Sequence, residues 1–190
     1  MASKIRVLPV TPKRWRDLAA LFGARGACGG CWCMYWRRAA ADFNRGKGRA
    51  NRASLRGLVA SGQLPGLLAY LDGAPVGWCS VAPRDAFPRL ERARTLQRID
   101  AEPVWSVVCF YVARAHRRQG VSVVLLEGAA SFARRRGARI LEGYPVDPRE
   151  SDYADAFAWT GTAAAFRAAG FTEARRVSPV RPIMRRELGA

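Results

Sequence analysis

The chain has 190 residues, of which 49% are apolar, a length and composition that suit one globular domain and exclude a disordered chain. No apolar run approaches the ~18–20 residues of a membrane span, and the start lacks the apolar stretch of a secretory signal. The net charge of +17 favours a polyanionic partner, a phosphate-bearing cofactor or RNA, or else only a solvated basic surface. We therefore expect one cytoplasmic domain over residues 1–190, a monomer or homodimer, with neither DNA nor a membrane as a partner.

The N-terminal third is predicted to contain one strand and three helices. Lys4–Val10 alternates as a strand does, and Thr11-Pro12 is a typical helix start. Apolar residues at helical spacing then continue to Phe22. A second helical stretch is expected from about Trp32, and a third over Arg49–Ala60.

The middle of the chain is typical of the centre of a β-sheet. Gly66–Leu71 and Pro75–Val81 are apolar strands joined by Asp72-Gly73, a strong signal for a two-residue hairpin turn. Pro83–Arg98 is basic and interrupted, which indicates an excursion with a short helix. Val104–Val112 is the most apolar β-prone run of the chain, and it is expected to be a central strand.

The C-terminal part alternates helices with strands. Helices are predicted over Gly120–Arg136 and Thr162–Ala169. Strands are predicted over Arg139–Tyr144, Phe171–Val177 and Arg181–Met184. The sequence shows no internal repeat and no interdomain linker, and the order of elements predicts a mixed α/β sheet flanked by helices.

The most informative segment joins the central strand to the helix that begins at Gly120. Amides at a helix start are unpaired and lie at the positive end of the helix dipole, and a glycine there lets a phosphate approach the backbone. Basic side chains reinforce this anion site, namely Arg114, His116, Arg117 and Arg118. The segment therefore predicts a phosphate-binding loop.

This junction resembles motif A of the Gcn5-related N-acetyltransferases (GNAT), in which a strand runs into Q/R-x-x-G-x-G/A and a helix. Residues 117–122 read Arg-Arg-Gln-Gly-Val-Ser, with Ser122 at the last small position, and a W-x-G…F-x-x-x-G-F block follows at Trp159–Phe171. The resemblance covers essentially the whole chain. It implies an α/β GNAT fold, with a mixed, mostly antiparallel sheet of six to seven strands, flanked by helices and splayed between its fourth and fifth strands.

The resemblance also implies a coenzyme A site. In the family the pantetheine arm pairs with the central strand at the splay, so Phe110 and Val112 would offer backbone groups, Phe110 as an oxyanion donor. The acyl donor is expected to be acetyl-CoA, without a metal, and a neutral amine would attack the thioester directly. The loop implied to hold the pyrophosphate consists of Arg117, Arg118, Gln119, Gly120, Val121 and Ser122.

The catalytic acid is not defined by the usual residue. Many GNAT proteins place a tyrosine where this chain has Phe166, so a substitute is needed. Tyr111 and Cys109 have adequate chemistry, and Tyr144 is preferred because it ends the strand beyond the splay. Each of them could instead be a packing residue.

For the catalytic base, the candidates are Glu142 and Ser106. Glu142 lies in an otherwise apolar strand, where a carboxylate is rarely found without a purpose. The alternative for Glu142 is an ion pair with one of the many arginines. Ser106 occupies the position in the central strand where histone-type members carry a glutamate.

Residues 26–38 crowd cysteine and aromatic side chains beside a glycine loop. In this fold the region between the first two helices forms a wall of the acceptor pocket, which here would suit a planar or apolar acceptor. Cys28, Cys31 and Cys33 have ligand-like spacing, but a second pair is missing, so a metal is not expected. Plain core packing is the other interpretation, and five cysteines, an odd number, argue against a disulfide framework. The predicted acceptor-pocket residues are Trp32, Met34, Trp36 and Trp105.

The leading interpretation is an N-acetyltransferase that acts on a small-molecule or peptide amine. The charge supports an alternative, a GNAT-fold transferase that takes its acyl group from aminoacyl-tRNA, with Trp32 and Trp36 as candidates to stack on bases. A third interpretation is a non-catalytic module that binds coenzyme A, because the usual tyrosine is missing. The candidate tRNA-binding residues are Arg37, Arg38, Arg45, Lys47, Arg49, Arg52 and Arg56.

Overall fold

A computed structural model of the chain describes residues 5–147 and 159–189. The strands are β1 Arg6–Pro9, β2 Gly66–Leu71, β3 Ala74–Pro83, β4 Trp105–Val112, β5 Ile140–Gly143, β6 Thr172–Ser178 and β7 Arg181–Glu187. The helices are α1 Trp15–Phe22, α2 Ala40–Arg45, α3 Arg49–Ala60, α4 Pro88–Glu91, α5 Val121–Arg134 and α6 Ala163–Ala168. Short 3-10 turns cover Pro12–Arg14, Arg84–Ala86, Arg94–Leu96 and Arg114–His116.

The strands form one seven-stranded sheet in the order β1-β2-β3-β4-β5-β7-β6. Every neighbouring pair is antiparallel except β4 and β5, which are parallel and are joined by the α5 crossover. The predicted mixed, mostly antiparallel sheet of the GNAT fold is therefore confirmed. The hairpin between β2 and β3 turns at Asp72 and Gly73, whose φ angles of +49° and +83° suit a type I′ turn.

The sheet splays at its centre. β4 pairs with β5 only from Trp105 to Val107 and then continues to Val112, whereas β5 ends at Gly143. A Cβ atom at Gly143 would collide with the ring of Phe166, so this ring packs directly on the backbone where the strands part. The gap between β4 and the segment after β5 positions the site described below.

Each face of the sheet buries its own core. On one face α5 packs through Leu125, Leu126 and neighbouring small residues against β2, β3 and β4. It comes close because Gly77 lacks a side chain, since a Cβ atom there would lie 2.7 Å from Val121 Cγ1. On the other face α1, α3 and the loop between α1 and α2 pack around Trp78, which is fully buried.

The helix expected from about Trp32 is not formed, and this prediction was wrong. Residues 31–39 run through turns, and α2 begins only at Ala40. The cause is local, because Trp32 and Cys33 adopt left-handed φ angles of +46° and +56°, which a right-handed helix cannot contain. In the described part of the chain, no helix is both long enough and apolar enough to traverse a lipid bilayer.

Candidate active site

One cavity of about 690 Å³ joins the phosphate loop, residues 117–122, to the cysteine-rich loop, residues 26–38. It lies at the splay, where the end of β4, the start of α5 and the residues before α6 meet. The phosphate-loop side is lined by Val112, His116, Arg117, Arg118, Gly120, Val121 and Ser122. The other side is lined by Phe22, Ala27, Cys28, Cys31, Cys33, Tyr35, Trp78, Cys109, Phe110, Tyr111, Trp159, Gly161, Thr162 and Ala165.

The phosphate loop has the backbone shape that an anion site needs. Gly120 is the N-cap of α5, with a left-handed φ of +77°, and a Cβ atom there would meet nothing within 4 Å. The next amides, those of Val121 and Ser122, have no carbonyl of a preceding helical turn to bond. Arg117 is oriented by its Nε–H, which donates to the Val112 carbonyl at 3.2 Å, and Gln119 donates to the Ala115 carbonyl at 3.0 Å. The open space beside Gly120 therefore faces basic side chains and helix-start amides.

The gap of the splay is partly closed by the segment before α6. The Phe110 amide donates to the Trp159 carbonyl at 2.6 Å, and Val146 pairs with Thr162 as an isolated bridge. The predicted oxyanion donor, the Phe110 amide, thus already has an acceptor. The Phe110 side chain packs at right angles to Phe166, with ring centroids 6.0 Å apart.

The far side of the cavity is apolar and aromatic, but not through the predicted residues. Tyr35 lines it and packs on Trp159 with ring centroids 5.1 Å apart. Cys109 lies three residues before Val112, or about 10 Å down β4 from the phosphate loop, and Cys31 and Cys33 face it from the cysteine-rich loop. Among the described lining residues there is no Asp or Glu.

None of Trp32, Met34, Trp36 and Trp105 lines the cavity, so their assignment to the acceptor pocket is corrected. Trp32 and Met34 are 4% exposed within the core under α1 and α3, and Trp36 donates from Nε1 to the Val108 carbonyl at 3.1 Å. Trp105 packs on Phe132 of α5. Trp32 and Cys33 form a left-handed turn, for which the sequence carries no signal beyond the neighbouring glycines.

Three of the four predicted catalytic residues meet in a buried network on the β4–β5 pair. Tyr144 Oη donates to Glu142 Oε1 at 2.6 Å and lies 2.9 Å from Ser106 Oγ. Arg84 Nη1 donates to Glu142 Oε1 at 2.9 Å and to Tyr144 Oη at 2.7 Å, and Arg185 Nε donates to Glu142 Oε2 at 2.7 Å. Glu142 therefore forms ion pairs with arginines, which was the alternative to a catalytic base in the sequence analysis.

This network does not reach the cavity. Glu142, Tyr144 and Ser106 are each at most 1% exposed, and none of them lines it. Burial raises the pKa of the Tyr144 hydroxyl well above its ordinary value, and the adjacent Glu142 carboxylate adds to that shift. The placement argues against Glu142 and Ser106 as bases and Tyr144 as the acid, because no substrate in the cavity touches them.

The basic residues of the α2–α3 region divide into two groups. Arg37 and Arg38 are half-buried, and Arg38 donates from Nη1 to the Asn51 side chain at 2.9 Å. The side chains of Arg45, Lys47, Arg49, Arg52 and Arg56 are exposed, and Arg45 pairs with Asp42 at 2.5 Å. Trp32 and Trp36, proposed to stack on bases, are buried and cannot present a ring to RNA. An exposed basic stripe remains, without the predicted aromatic platform.

The described residues contain neither a metal-binding cluster nor a disulfide. Within residues 5–147 and 159–189 no group of three or more His, Cys, Asp or Glu side chains is placed to hold a metal ion. The cysteines are all free thiols. Cys28, Cys31 and Cys33 all line the cavity.

A splayed, mostly antiparallel sheet with a helix-start anion site at its centre defines an acyltransferase fold, and the comparisons identify which one. The model of the Acetyltransferase (GNAT) family matches residues 31–157, about two thirds of the chain. The chain therefore belongs to the GNAT family of acetyltransferases. No curated protein gives a significant sequence match.

Solved structures with this fold have little sequence identity to the chain. An acetyltransferase of the GNAT family from Streptococcus pneumoniae has a TM-score of 0.53 at 15% identity, covering 98% of this chain and 100% of the other. PaiA N-acetyltransferase from Thermoplasma acidophilum, in complex with coenzyme A, has 0.52 at 13% identity, covering 97% and 99%. YncA from Salmonella typhimurium, with its cofactor acetyl-CoA, has 0.52 at 16% identity, covering 97% and 94%. At these identities the similarity establishes the fold alone.

Proposed function

We propose that this GNAT protein transfers the acetyl group of acetyl-CoA to a primary amine by direct attack on the thioester. The observation that carries the proposal is the continuous cavity that connects the Gly120 loop to the thiol and aromatic side chains of Cys109, Phe110 and Tyr111 on β4. A helix-start anion site suits a pyrophosphate, and the strand end beyond it suits the extended arm of the same cofactor. The structures of PaiA with coenzyme A and of YncA with acetyl-CoA support this choice of donor.

The acceptor is proposed to be a small-molecule or peptide amine carried on an apolar or planar group. Tyr35, Tyr111 and Trp159 supply aromatic side chains to the far side of the cavity. Such side chains bind apolar groups and attract a cationic amine before it loses its proton. The absence of Asp and Glu from the described lining disfavours an acceptor that needs several ion pairs.

The central experiment is acetyl-CoA binding by titration calorimetry to the parent protein and to the Gly120→Trp variant. Because the space beside Gly120 is open, the indole fills the anion site without entering the core. The variant keeps its fold at a strain of roughly 1–2 kcal/mol and loses binding. Gly137→Trp, at an exposed glycine with φ +80° and the same open surroundings, controls for the strain. Unchanged affinity in a folded Gly120→Trp protein contradicts the proposal.

A second candidate function is transfer from aminoacyl-tRNA, which the exposed stripe of Arg45, Lys47, Arg49, Arg52 and Arg56 favours. The burial of Trp32 and Trp36 weakens it, so it ranks below acetyl-CoA. The third interpretation, a non-catalytic module, rested on Phe166 in the place of a tyrosine. Phe166 is fully buried against Phe110 and Phe171, a packing position in this chain. A phenylalanine side chain has no proton to donate, so a catalytic acid would have to be a residue other than Phe166.

A further inference from the structure

Of the aromatic residues in the cysteine-rich loop, only Tyr35 lines the cavity. Its side chain is half-buried, and the next residue, Trp36, is held from two sides. Trp36 Nε1 donates to the Val108 carbonyl at 3.1 Å, and the Trp36 carbonyl accepts from the Arg89 amide at 3.2 Å. These bonds fix Tyr35 beside β4, directly after the point where the pairing of β4 with β5 ends at Val107.

Tyr35 forms a corner of two rings with Trp159, which also lines the cavity. The ring centroids lie 5.1 Å apart, and the ring planes are inclined by 70°. Because the Trp159 carbonyl accepts from the Phe110 amide, the corner lies next to the end of β4. A planar ring that enters such a corner can lie parallel to one ring and edge-on to the other, which are the two geometries that aromatic pairs prefer. An alkyl chain gains only from the burial of apolar area, so the corner suits an aromatic group better than an aliphatic one.

Arg89 supports the Tyr35 ring from outside the cavity. Its guanidinium carbon lies 3.7 Å from the centre of that ring, against 6.0 Å from the centre of the Phe43 ring, and Arg89 is not a lining residue. Its Nη1 is buried without a hydrogen-bond partner, which is an unfavourable state for a donor. The stack on Tyr35 is therefore the close contact that holds this guanidinium, and in turn it fixes the plane of the ring.

The helix that carries Arg89, α4, is fastened to the sheet by a buried arginine. Arg84 is 2% exposed, its Nε donates to Glu91 Oε1 of α4 at 2.6 Å, and its Nη1 donates to Glu142 Oε1 of β5 at 2.9 Å. The network around Glu142 does not reach the cavity itself. Through α4 it supports Arg89, and through Arg89 it supports the ring of Tyr35.

We propose that Tyr35 is a specificity-determining residue for the amine acceptor, that Arg89 positions it, and that the site selects arylalkyl primary amines over aliphatic ones. The inference rests on the proposed acetyl transfer and names the class of acceptor. The aromatic group of the acceptor lies in the corner of Tyr35 and Trp159, and its amine extends into the cavity toward the acetyl donor. Tyr35 contacts the acceptor directly, whereas Arg89 acts only through Tyr35.

The first test compares two acceptors at saturating acetyl-CoA, 2-phenylethylamine and butylamine. Both are unbranched primary amines, so an effect on donor binding or on the chemical step cancels in the ratio of their kcat/KM values. We expect the parent to favour 2-phenylethylamine. In Tyr35→Leu this ratio should fall about fivefold, mainly through a higher KM for 2-phenylethylamine, because an apolar side chain remains but the ring is lost. Tyr35→Phe keeps the ring and should keep the ratio.

Trp105→Leu is the control for the loss of an aromatic side chain. Trp105 packs on Phe132 outside the cavity, so the ratio in this variant should equal that of the parent. If Tyr35→Leu does not fold, Tyr35→Met takes its place, since methionine adapts to irregular packing. An equal ratio in the parent and in the folded Leu or Met variant overturns the assignment of Tyr35.

The second test asks whether Arg89 acts through Tyr35. Arg89→Met keeps an apolar stem but loses the cation, and its ratio should fall about two- to threefold, whereas Arg89→Lys keeps the cation and should lose less. Arg89→Gln replaces Arg89→Met if the latter does not fold. The double variant of Arg89→Met with Tyr35→Leu should have the ratio of Tyr35→Leu alone, because the ring that Arg89 positions is already absent.

Arg92→Met, at an exposed arginine of the same segment, is the control for the loss of charge and should match the parent. Losses that multiply in the double variant overturn the positioning role of Arg89. An unchanged ratio in the folded Arg89→Met or Arg89→Gln variant overturns it as well.

Calorimetry with acetyl-CoA separates this inference from the proposed function. Every variant that folds should bind acetyl-CoA with the affinity of the parent, because none of the changed side chains belongs to the phosphate loop. A parent that does not bind acetyl-CoA contradicts the proposed function, and this inference falls with it. A parent that binds acetyl-CoA but acetylates neither amine, or acetylates butylamine at least as well as 2-phenylethylamine, overturns the acceptor assignment alone.

Discussion

The Phe110 amide and the Trp159 carbonyl are joined by a 2.6 Å hydrogen bond across the gap where β4 and β5 part. The resemblance to GNAT proteins assigns the Phe110 amide to the acyl carbonyl of the donor. If the Phe110 amide binds the acyl carbonyl as the resemblance implies, its hydrogen bond to the Trp159 carbonyl has to break before the donor can use it.

The first prediction tests the anchor of that segment. Gly161 has φ +87°, and a Cβ atom there would lie 2.8 Å from Phe166 Cε2 and 3.1 Å from Phe110 Cε2. Gly161→Ala should lower the unfolding free energy by roughly 1–3 kcal/mol and speed hydrogen exchange of the Phe110 amide. Denaturant titration and NMR exchange measure both. Gly137→Ala, with a similar φ and open surroundings, should cost less and leave Phe110 unchanged, and equal behaviour of the two variants contradicts the prediction.

The second prediction concerns the buried Glu142. Glu142→Gln should lower the unfolding free energy by about 3 kcal/mol, because Arg84 and Arg185 lose their shared carboxylate in a buried site. Acetyl-CoA affinity should be unchanged, since Glu142 does not line the cavity. Glu102→Gln is the control, an exposed site where the change should stay within about 0.5 kcal/mol. Loss of turnover without loss of stability in Glu142→Gln would return this residue to the catalytic candidates.

The third prediction is a loss of stability in acid. Hydrogen bonds from Arg176 and Arg167 hold the pKa of Asp147 below its ordinary 3.8. Burial raises the pKa of Glu91, yet hydrogen bonds from Arg84 and Arg98 bring it below 4.5. Depressed carboxylate pKa values contribute stability that is full above the ordinary values and is lost as the pH falls through the folded ones.

The midpoint temperature of thermal unfolding should therefore be insensitive to these groups above about pH 5 and should fall progressively below pH 4. Asp147→Asn should lower the midpoint at pH 6 and flatten its fall in acid. Asp85→Asn, at an exposed carboxylate, is the control and should follow the parent curve. A midpoint that rises on acidification contradicts the sign of the effect.

The fourth prediction decides between donors. Replacing Arg45, Arg49, Arg52 and Arg56 together by glutamine should leave acetyl-CoA affinity unchanged, because none of them lines the cavity. If bulk tRNA binds through this stripe, its affinity should fall and its salt dependence flatten by about one unit of slope per phosphate contact removed. Polarisation titrations at several salt concentrations measure this.

The matched control for charge replaces four arginines, all exposed, at and beyond the end of α5: Arg134, Arg135, Arg136 and Arg139. We expect only weak, salt-labile tRNA binding that both sets reduce alike. Submicromolar tRNA binding at physiological salt, lost only from the α2–α3 set, together with absent acetyl-CoA binding, would reverse the ranking of the two donors.

The sequence predicted the elements whose signals are local. The hairpin at Asp72-Gly73, α3 and the glycine that begins α5 follow from turn residues and periodicity within a short window. The failures are equally local in origin. Two left-handed residues, Trp32 and Cys33, turn the chain where apolar spacing indicated a helix. The side chains of this loop that line the cavity are then Cys28, Cys31, Cys33 and Tyr35, whereas Trp32, Met34 and Trp36 are buried.

The partner of Glu142 was beyond the reach of a sequence argument. Arg84, which neutralises it, is 58 residues away along the chain and lies on a 3-10 turn at the start of the segment predicted as an excursion with a short helix. A carboxylate in an apolar strand fits either a catalytic base or an ion pair, and the sequence does not show which arginine would pair with it. Only the folded sheet brings Arg84, just after β3, within reach of Glu142 on β5. The same holds for Arg37, whose burial depends on Phe87 and Pro65 from two later segments.

The short pairing between β4 and β5 also bears on how the sheet assembles. Strands β1 to β4 pair with one another as antiparallel neighbours in the order β1-β2-β3-β4. Strand β5 joins β4 through three parallel residue pairs, and a parallel pairing of this kind can form only after the α5 crossover has docked. Until β7 arrives, β5 presents a bare edge of backbone groups beside the splay. Because β7 covers this edge of β5, we expect a chain that ends before the β6–β7 hairpin to expose unpaired backbone groups that can pair with a strand of another copy.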